Sequence, residues 1–300
     1  MKHSIRNQHI TLSVNTRGAE LQSLVRNCDG KELLWQGDPT YWEGQSPVLF
    51  PTIGNLNDAT LRHQGRRYPM PKHGLARGMD FVLTQQDESS LTLSVSSNED
   101  TLQHFPFPFR LNVKYELADR NLNVTFETEN PSERELPFQL GAHPAFNLPD
   151  WDETNDIHGY LGFDLRHQLV SNGLKPGGLL WPEGSFPVPL DEHDTLALTN
   201  HTFDCDTLLD SSSHTHACIL YNRYRERLLT LRFNSPVLAL WAPHGGRAPF
   251  VCIEPWWGCC DRFDYEGEFS QRPWTNIVPA HETRTIGYSI EIEKMRKVNS

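Results

Sequence analysis

Two short stretches set side chains that exchange protons among residues that leave room for another molecule. In Gly141-Ala142-His143-Pro144 the small residues leave space beside the imidazole, and the proline biases His143 toward an extended backbone. In Cys252-Ile253-Glu254-Pro255 a carboxylate follows an apolar run, and we expect Pro255 to end that strand. Apolar surroundings raise the pKa of a carboxyl group, whereas a neutral imidazole exchanges protons near neutral pH. The two stretches predict an acid and a base; the plainer alternatives are a satisfied structural histidine and a capped strand end.

A basic segment lies between Asp58 and Asp80. It contains no acidic residue, and its cations are Arg62, Arg66, Arg67, Lys72 and Arg77. Arginine offers bidentate donors to phosphate oxygens, so the segment is a candidate phosphate site, although a basic hairpin exposed to water is the interpretation we prefer. Within the segment His73 precedes a glycine that permits close backbone approach. This stretch is therefore either part of a site or an ordinary surface loop.

Three smaller features have competing explanations. Trp256 and Trp257 offer faces that suit the C–H surface of a sugar ring, or they are core aromatics. Asp206 either binds a hydroxyl group or caps a turn. His214-Thr215-His216 places two imidazoles on one face of a strand, but no third ligand is near them in sequence. We therefore expect solvated histidines there and no metal.

Composition excludes several classes of partner. The 300 residues carry a formal net charge of -11, and the sequence pI is about 5.7, which argues against nucleic acid or an anionic membrane. No apolar run reaches the length of a membrane span and the first residues contain no apolar signal core, so we expect a cytoplasmic protein. The six cysteines show no Cys-x-x-Cys spacing, so we expect free thiols; a redox role for the adjacent pair Cys259-Cys260 is the alternative.

Strands must position these residues. Apolar and polar residues alternate with a period of two over much of the chain, as in residues 10–14, 91–95, 217–221, 229–233 and 286–292. The clearest hairpin alternates from Leu111 to Leu117, turns at residues 118–121 and alternates again from Leu122 to Phe126. No stretch of about twelve residues shows the apolar stripe of a helix.

This pattern predicts an all-β fold, a single large antiparallel sandwich spanning residues 1–300. An Asp-Gly turn at residues 29–30 predicts a hairpin that returns through Leu33 to Trp35. Between Asp150 and Thr199 the chain is rich in Gly, Pro, Asp and Asn, which predicts long loops with short strands. A division into two domains within that region is the alternative.

Several motifs in this order resemble one known family. They are His73-Gly74-Leu75-Ala76-Arg77, Gly141-Ala142-His143-Pro144-Ala145-Phe146-Asn147, Asp206-Thr207-Leu208, Leu240-Trp241-Ala242-Pro243 and Cys252-Ile253-Glu254-Pro255-Trp256-Trp257-Gly258. Together they resemble the aldose 1-epimerase (galactose mutarotase-like) family, and within it the LacX-like and hexose-6-phosphate mutarotase branch. The resemblance runs from the first hairpin to the terminal strand.

The resemblance implies a β-supersandwich with a sugar cleft across one sheet. It implies a cofactor-free mutarotase whose partner is a small-molecule sugar or sugar phosphate. Carried onto this chain, it makes His143 the general acid that protonates the ring oxygen and Glu254 the base that takes the proton of the anomeric hydroxyl. The two side chains would face the sugar from opposite sides. His73 would orient the ring oxygen, Asp206 would bind a hydroxyl, and Trp241 would line the cleft.

Two departures from the family pattern bear on the substrate. Gly54-Asn55 stands where many members of the branch carry Gly-Arg, so the sugar contact falls to Asn55 itself or to an arginine elsewhere, with Arg62, Arg66 and Arg77 as candidates. Leu75 replaces a phenylalanine, which is a milder change of packing. A carbohydrate-binding or sensing protein without turnover is the leading alternative function. A glycoside hydrolase, which usually needs two carboxylates, is a third.

Overall fold

The computed structural model describes residues 1–164 and 168–294. In chain order its strands are β1 Lys2–Arg6, β2 Ile10–Asn15, β3 Leu21–Arg26, β4 Lys31–Glu32, β5 Val48–Leu49, β6 Thr60–His63, β7 Arg66–Pro69, β8 Val82–Gln86, β9 Ser90–Ser96, β10 Arg110–Ala118, β11 Asn121–Glu129, β12 Leu136–Phe138, β13 Leu140–Ala142, β14 Ala145–Asn147, β15 Gly159–Phe163, β16 Val170–Lys175, β17 Leu179–Pro187, β18 Thr195–Leu198, β19 Leu208–Asp210, β20 Ala217–Asn222, β21 Arg227–Phe233, β22 Val237–Trp241, β23 Phe250–Trp257, β24 Asn276–Val278 and β25 Thr283–Ile292. Helical elements in the described residues are the four-residue α1, Glu99–Leu102, and 3₁₀ turns at Asn57–Ala59, Ala76–Gly78, His244–Gly246 and Phe269–Gln271.

The strands form antiparallel sheets, which confirms the all-β prediction. A nine-stranded sheet has the order β18-β15-β20-β21-β25-β11-β10-β9-β8, and a six-stranded sheet has the order β19-β22-β23-β13-β5 with β14 also paired to β23. A four-stranded sheet, β1-β2-β3-β4, and three two-stranded sheets, β6-β7, β12-β24 and β16-β17, complete the pairing of the described strands. Every pairing between these strands is antiparallel.

The main core follows from the period-two alternation in the nine-stranded sheet. In the predicted hairpin, β10 and β11 pair from Arg110↔Glu129 to Ala118↔Asn121, so the chain turns where the sequence indicated. Their apolar residues are buried on one face and join side chains from the inner face of β23 in one hydrophobic cluster. Burying each such side chain contributes roughly 1.5–3 kcal/mol, so this cluster fixes β23 firmly against the larger sheet.

One local prediction is wrong in part. In the described residues between 150 and 199 the chain forms four strands, and one of them, β17, is not short: it runs for nine residues through Pro182 and Pro187. Prolines are tolerated there because, among the described strands, β17 pairs with β16 alone, and the bridge on its other edge is at Leu180, away from both prolines. Gly177 and Gly178 have positive φ and make the turn that joins the two strands. The first hairpin is confirmed: β3 pairs with β4 around the predicted Asp-Gly turn, although β4 ends before Leu33.

β23 separates the main core from a second face of the six-stranded sheet. Alternation sends Val251, Ile253 and Trp257 into the main core and turns Cys252 and Glu254 the other way. A cavity lies against that second face, and the candidate site is built there.

Pro255 does not end this strand, contrary to the sequence-based expectation: β23 continues to Trp257, and Pro255 pairs with Leu238 of β22. The backbone N–H of Ile253 donates to Pro144 O, so by alternation the position of the missing Pro255 N–H also faces the β13–β14 side. That side is interrupted between the two short strands. The proline therefore removes no hydrogen bond that the sheet needs.

Candidate active site

Strand register places His143 beside Glu254. β13 and β14 both pair with β23, through Gly141↔Trp256 and Ala145↔Cys252, and continuing the register across the break sets His143 opposite Glu254. Directly opposed residues on neighbouring antiparallel strands lie side by side on one face. The His143 Nε2 atom is 3.3 Å from Glu254 Oε2. The two groups thus face one cavity. They are in direct contact, whereas the family resemblance implied that they would face the sugar from opposite sides.

The cavity is a pocket of about 280 Å³. This is near the lower end of the roughly 300–1,000 Å³ typical of small-molecule sites, and it suits a ligand of monosaccharide size. Polar and aromatic groups dominate its lining: Trp42, Lys72, His73, Arg77, His143, Asp206, Thr207, Trp241, Glu254 and Trp256. Of the residues predicted from sequence, the structure therefore brings together His73, Arg77, His143, Asp206, Trp241 and Glu254.

Aromatic rings enclose the imidazole of His143. Trp42 stacks on it with ring centroids 5.0 Å apart and an interplanar angle of 27°, while Trp241 and His73 meet it edge-on at 5.9 Å and 5.6 Å. Burial among these rings lowers the pKa of His143 to about 3, and the positive charges of Lys72 and Arg77 act in the same direction. In the folded protein the neutral imidazole is therefore strongly favoured.

Glu254 is almost fully buried, with 1% of its surface exposed. Burial raises its pKa well above the ordinary value, against the opposing effects of the Lys72 charge and of the Trp256 indole N–H, which donates to Glu254 Oε2 over 3.2 Å. Both partners of the 3.3 Å contact are thus driven toward their neutral forms by the same cause. Burial thus favours a protonated carboxyl beside a neutral imidazole.

His73 has a defined tautomer. Its Nδ1 accepts the backbone N–H of Gly54 at 3.2 Å, and its own backbone N–H donates to Gly54 O at 2.9 Å. Burial lowers its pKa well below the ordinary value, so the ring is neutral. A neutral imidazole that accepts at Nδ1 carries its proton on Nε2. His73 therefore offers the pocket a hydrogen-bond donor.

The rim of the pocket carries opposite charges. Lys72 and Arg77 are exposed and flank His73 in the chain. Asp206 is exposed as well, and its Oδ1 accepts from the backbone N–H and the hydroxyl of Thr207. The rim thus offers two cations and one carboxylate to the polar groups of a ligand.

Three predicted binding residues lie outside this lining. Asn55 donates to Gly177 O at 2.5 Å, on the β16–β17 turn. Arg62 is buried on β6 and bonds to Asp58 Oδ2 at 3.3 Å, and Arg66 is exposed on the neighbouring strand. The cations of the basic segment that line the pocket are Lys72 and Arg77. The folded hairpin β6-β7 directs the earlier arginines elsewhere.

The structure adds two residues that sequence reasoning missed, Trp42 and Cys252, and it decides between the two adjacent tryptophans. Trp42 lies in a loop without periodicity, so nothing in the pattern placed its ring on His143. Of the two adjacent tryptophans, Trp256 lines the pocket, while Trp257 packs in the main core. Cys252, two residues from Glu254 on the same face of β23, also lies close to the pair. The period-two rule applied to β23 is the pattern that could have placed Trp256 and Cys252 on the same face as Glu254.

An antiparallel β fold with a pocket of this size, which joins an imidazole, a buried carboxyl and tryptophan faces, defines a class of protein that handles small carbohydrates. Comparison with known proteins makes the class specific. The family model for aldose 1-epimerase matches residues 1–265. The chain belongs to the aldose 1-epimerase family, a family of isomerases, and its function is of the mutarotase type.

Relatives and solved structures agree with this membership. The chromosomal LacX protein of Lactococcus lactis subsp. lactis is 31% identical over 310 residues, which cover 97% of this chain and 99% of that protein. A galactose mutarotase-like protein from Lactobacillus casei ATCC 334 is 30% identical, with a TM-score of 0.91 and coverage of 98% and 100%. A galactose mutarotase related enzyme from Lactobacillus acidophilus is 27% identical, with a TM-score of 0.91 and coverage of 99% of both chains. No helix in the described part of the chain is long and apolar enough to cross a membrane.

Proposed function

We propose that this protein interconverts the α and β anomers of a hexose or hexose 6-phosphate by acid–base ring opening at His143 and Glu254, without a cofactor. The observation that carries the proposal is the 3.3 Å contact between the imidazole and a buried carboxyl inside a sugar-sized pocket. Mutarotation needs one group that gives a proton to the ring oxygen and one that takes a proton from the anomeric hydroxyl.

A proton held by the Glu254 carboxyl would make the pair competent for this exchange. Transfer of that proton from Glu254 to Nε2 of His143 generates the imidazolium acid and the carboxylate base that the family resemblance assigns. The nearby charge of Lys72 favours the carboxylate and disfavours the imidazolium, so its effects on the two partners oppose each other. The acid then protonates the ring oxygen, the base takes the anomeric proton, and the bond between C1 and the ring oxygen breaks. Rotation of the aldehyde and the reverse proton transfers close the ring as the other anomer.

Other residues of the pocket position the sugar. The Nε2–H of His73 donates to the ring oxygen or to a neighbouring hydroxyl, and the Asp206 carboxylate accepts from a hydroxyl. The faces of Trp42 and Trp241 pack on C–H surfaces of the ring. Lys72 and Arg77 are the cations available to a 6-phosphate, because they line the pocket and the other arginines of the basic segment do not.

The test follows anomer interconversion by polarimetry on glucose, galactose and their 6-phosphates. We expect the wild type to exceed the spontaneous rate on at least one of these sugars. No acceleration on any sugar, with binding retained, would instead establish a binding or sensing protein. Because Asp206 supplies a second carboxylate to the pocket, aryl glycosides are included; release of the aryl group would favour a hydrolase.

The phosphate preference has its own matched control. Lys72→Met and Arg77→Met should each raise KM for the 6-phosphates about tenfold and leave KM for the free sugars within about threefold. Arg66→Met removes an exposed cation of the same segment that is outside the pocket, and it should change neither. Equal losses on free and phosphorylated sugars would show that the pocket does not select for phosphate.

A further inference from the structure

We propose that Cys252, Glu254 and His143 form a binding site for a zinc-like divalent cation at the base of the pocket, and that the bound cation inhibits the enzyme. The binding part stands on the geometry of these three residues alone. The inhibition part rests on the proposed function.

The strands bring the ligand atoms together. Cys252 and Glu254 are two residues apart on β23 and share one face, and His143 lies opposite Glu254 on the interrupted neighbouring strand. One sulfur, one carboxylate oxygen and one imidazole nitrogen lie within 4.8 Å of one another. A search of the described residues for three or more histidine, cysteine or acidic side chains whose ligand atoms lie this close together finds these three residues.

The distances suit a tetrahedral ion. Zinc binds nitrogen and oxygen at about 2.0 Å and sulfur at about 2.3 Å, which sets ligand atoms about 3.3–3.5 Å apart. The 3.3 Å between His143 Nε2 and Glu254 Oε2 already has this value. The Cys252 sulfur needs to approach by up to about 1.3 Å, from within 4.8 Å to about 3.5 Å of the other two ligand atoms.

The ligand types suit a late first-row or d¹⁰ cation and disfavour Mg²⁺ and Ca²⁺. Thiolate and imidazole select zinc and its neighbours, whereas the hard cations prefer oxygen alone. A thiolate and a carboxylate together balance the charge of a divalent ion, so the complex is neutral where Cys252 and Glu254 are 0% and 1% exposed.

The position of the ion explains the inhibition. His143 and Glu254 line the pocket while Cys252 lies buried, so the fourth coordination position opens toward the ligand space. A bound cation occupies the lone pairs that would exchange protons with the sugar. Lys72 and Arg77 at the rim repel a cation, so we expect binding weak enough to be reversed by a chelator rather than the affinity of a permanent cofactor.

Cobalt titration tests the site directly and independently of activity. We expect Co²⁺ added to chelator-treated wild-type protein to give a thiolate-to-cobalt charge-transfer band in the near ultraviolet that one equivalent of Zn²⁺ abolishes. Cys252→Ala and Cys252→Ser should remove the band and weaken Zn²⁺ binding at least about tenfold. Cys218→Ala, which removes a buried thiol on β20, should keep both. No band in the wild type, or a band retained without Cys252, would overturn the site.

Inhibition is measured on whichever sugar the wild type interconverts. We expect Zn²⁺ to inhibit competitively and EDTA to reverse it, and Cys252→Ala to need at least about tenfold more Zn²⁺ to halve its own metal-free rate. A cobalt band without inhibition would refute the inhibitory role while leaving the site established. If no sugar is turned over, the titration still decides whether the cation binds.

Discussion

Glutamine in place of Glu254 should stabilise the fold at neutral pH. Glu254 is 1% exposed and burial raises its pKa well above the ordinary 4.5, so above that pH folding is coupled to proton uptake by this carboxyl. The cost is about 1.4 kcal/mol for each pH unit above 4.5, up to the pKa of the folded state. At pH 7 this limits the effect to about 3.5 kcal/mol. Glutamine keeps the shape and a donor for His143 without titrating.

The sign of the pH dependence follows from the raised pKa. The stability that a protonated Glu254 contributes is fully present below pH 4.5 and is lost as pH rises toward the pKa of the folded state. Glu254→Gln has no such loss. Its advantage over the wild type should therefore be near zero at pH 4.5 and grow with pH, with a limit of about 3.5 kcal/mol at pH 7.

Urea denaturation at several pH values between 4.5 and 7.5, followed by tryptophan fluorescence, measures this difference. Glu88→Gln, at an exposed turn, is the matched control and should change the free energy of unfolding by less than about 0.5 kcal/mol at each pH. The reasoning is refuted if Glu254→Gln destabilises the protein at pH 7, or if its effect does not vary with pH. Either result would mean that Glu254 is a carboxylate in the folded protein.

Three further predictions use matched variants. Arg272→Met breaks the ion pair with Asp261, whose two side chains are 3% exposed, and should cost about 3–5 kcal/mol of unfolding free energy. Arg262→Met breaks the half-exposed pair with Asp264 and should cost less than about 1 kcal/mol. Equal losses in thermal denaturation would contradict this. Gly74 and Gly65 both have a φ of +74°, but an alanine Cβ would lie 2.4 Å from a backbone oxygen at Gly74 and would meet no atom within 4 Å at Gly65. In the same assay we expect Gly65→Ala to lower the unfolding free energy by about 1 kcal/mol and Gly74→Ala to lower it by much more. Trp42→Ala removes the ring stacked on the imidazole and should lower kcat/KM about five- to tenfold with little change in melting temperature, and an unchanged kcat/KM would exclude a positioning role.

The parts of the fold that sequence could predict are those where one face is apolar and the other polar. The β10-β11 hairpin is such a case, and its turn lies where expected. In β20 both faces carry apolar residues. The alternation of Ala217, Ile219 and Tyr221 therefore does not reveal that Cys218 and Leu220 are more deeply buried than Ile219 and Tyr221. The single domain over residues 1–300 stays a prediction, supported by β15 and β18, which extend the nine-stranded sheet.

The candidate site shows a similar division. Local pattern and family resemblance identified His143 and Glu254, because each stands in an unusual apolar or small-residue context. Their direct contact depends on the register of two short strands against β23, which no local pattern encodes. Trp42 comes from a loop, and Arg62 points away because of its own hairpin. Such placements are set by long-range packing.

The central claim is that His143 and Glu254 transfer the protons of ring opening. It is tested most directly by exchange NMR of the two anomers of one accepted sugar, with wild type, His143→Gln and Glu254→Gln compared at saturating sugar. We expect each substitution to lower kcat at least about a hundredfold while sugar binding, measured by calorimetry, changes much less. Either variant interconverting the anomers at the wild-type rate would contradict the claim.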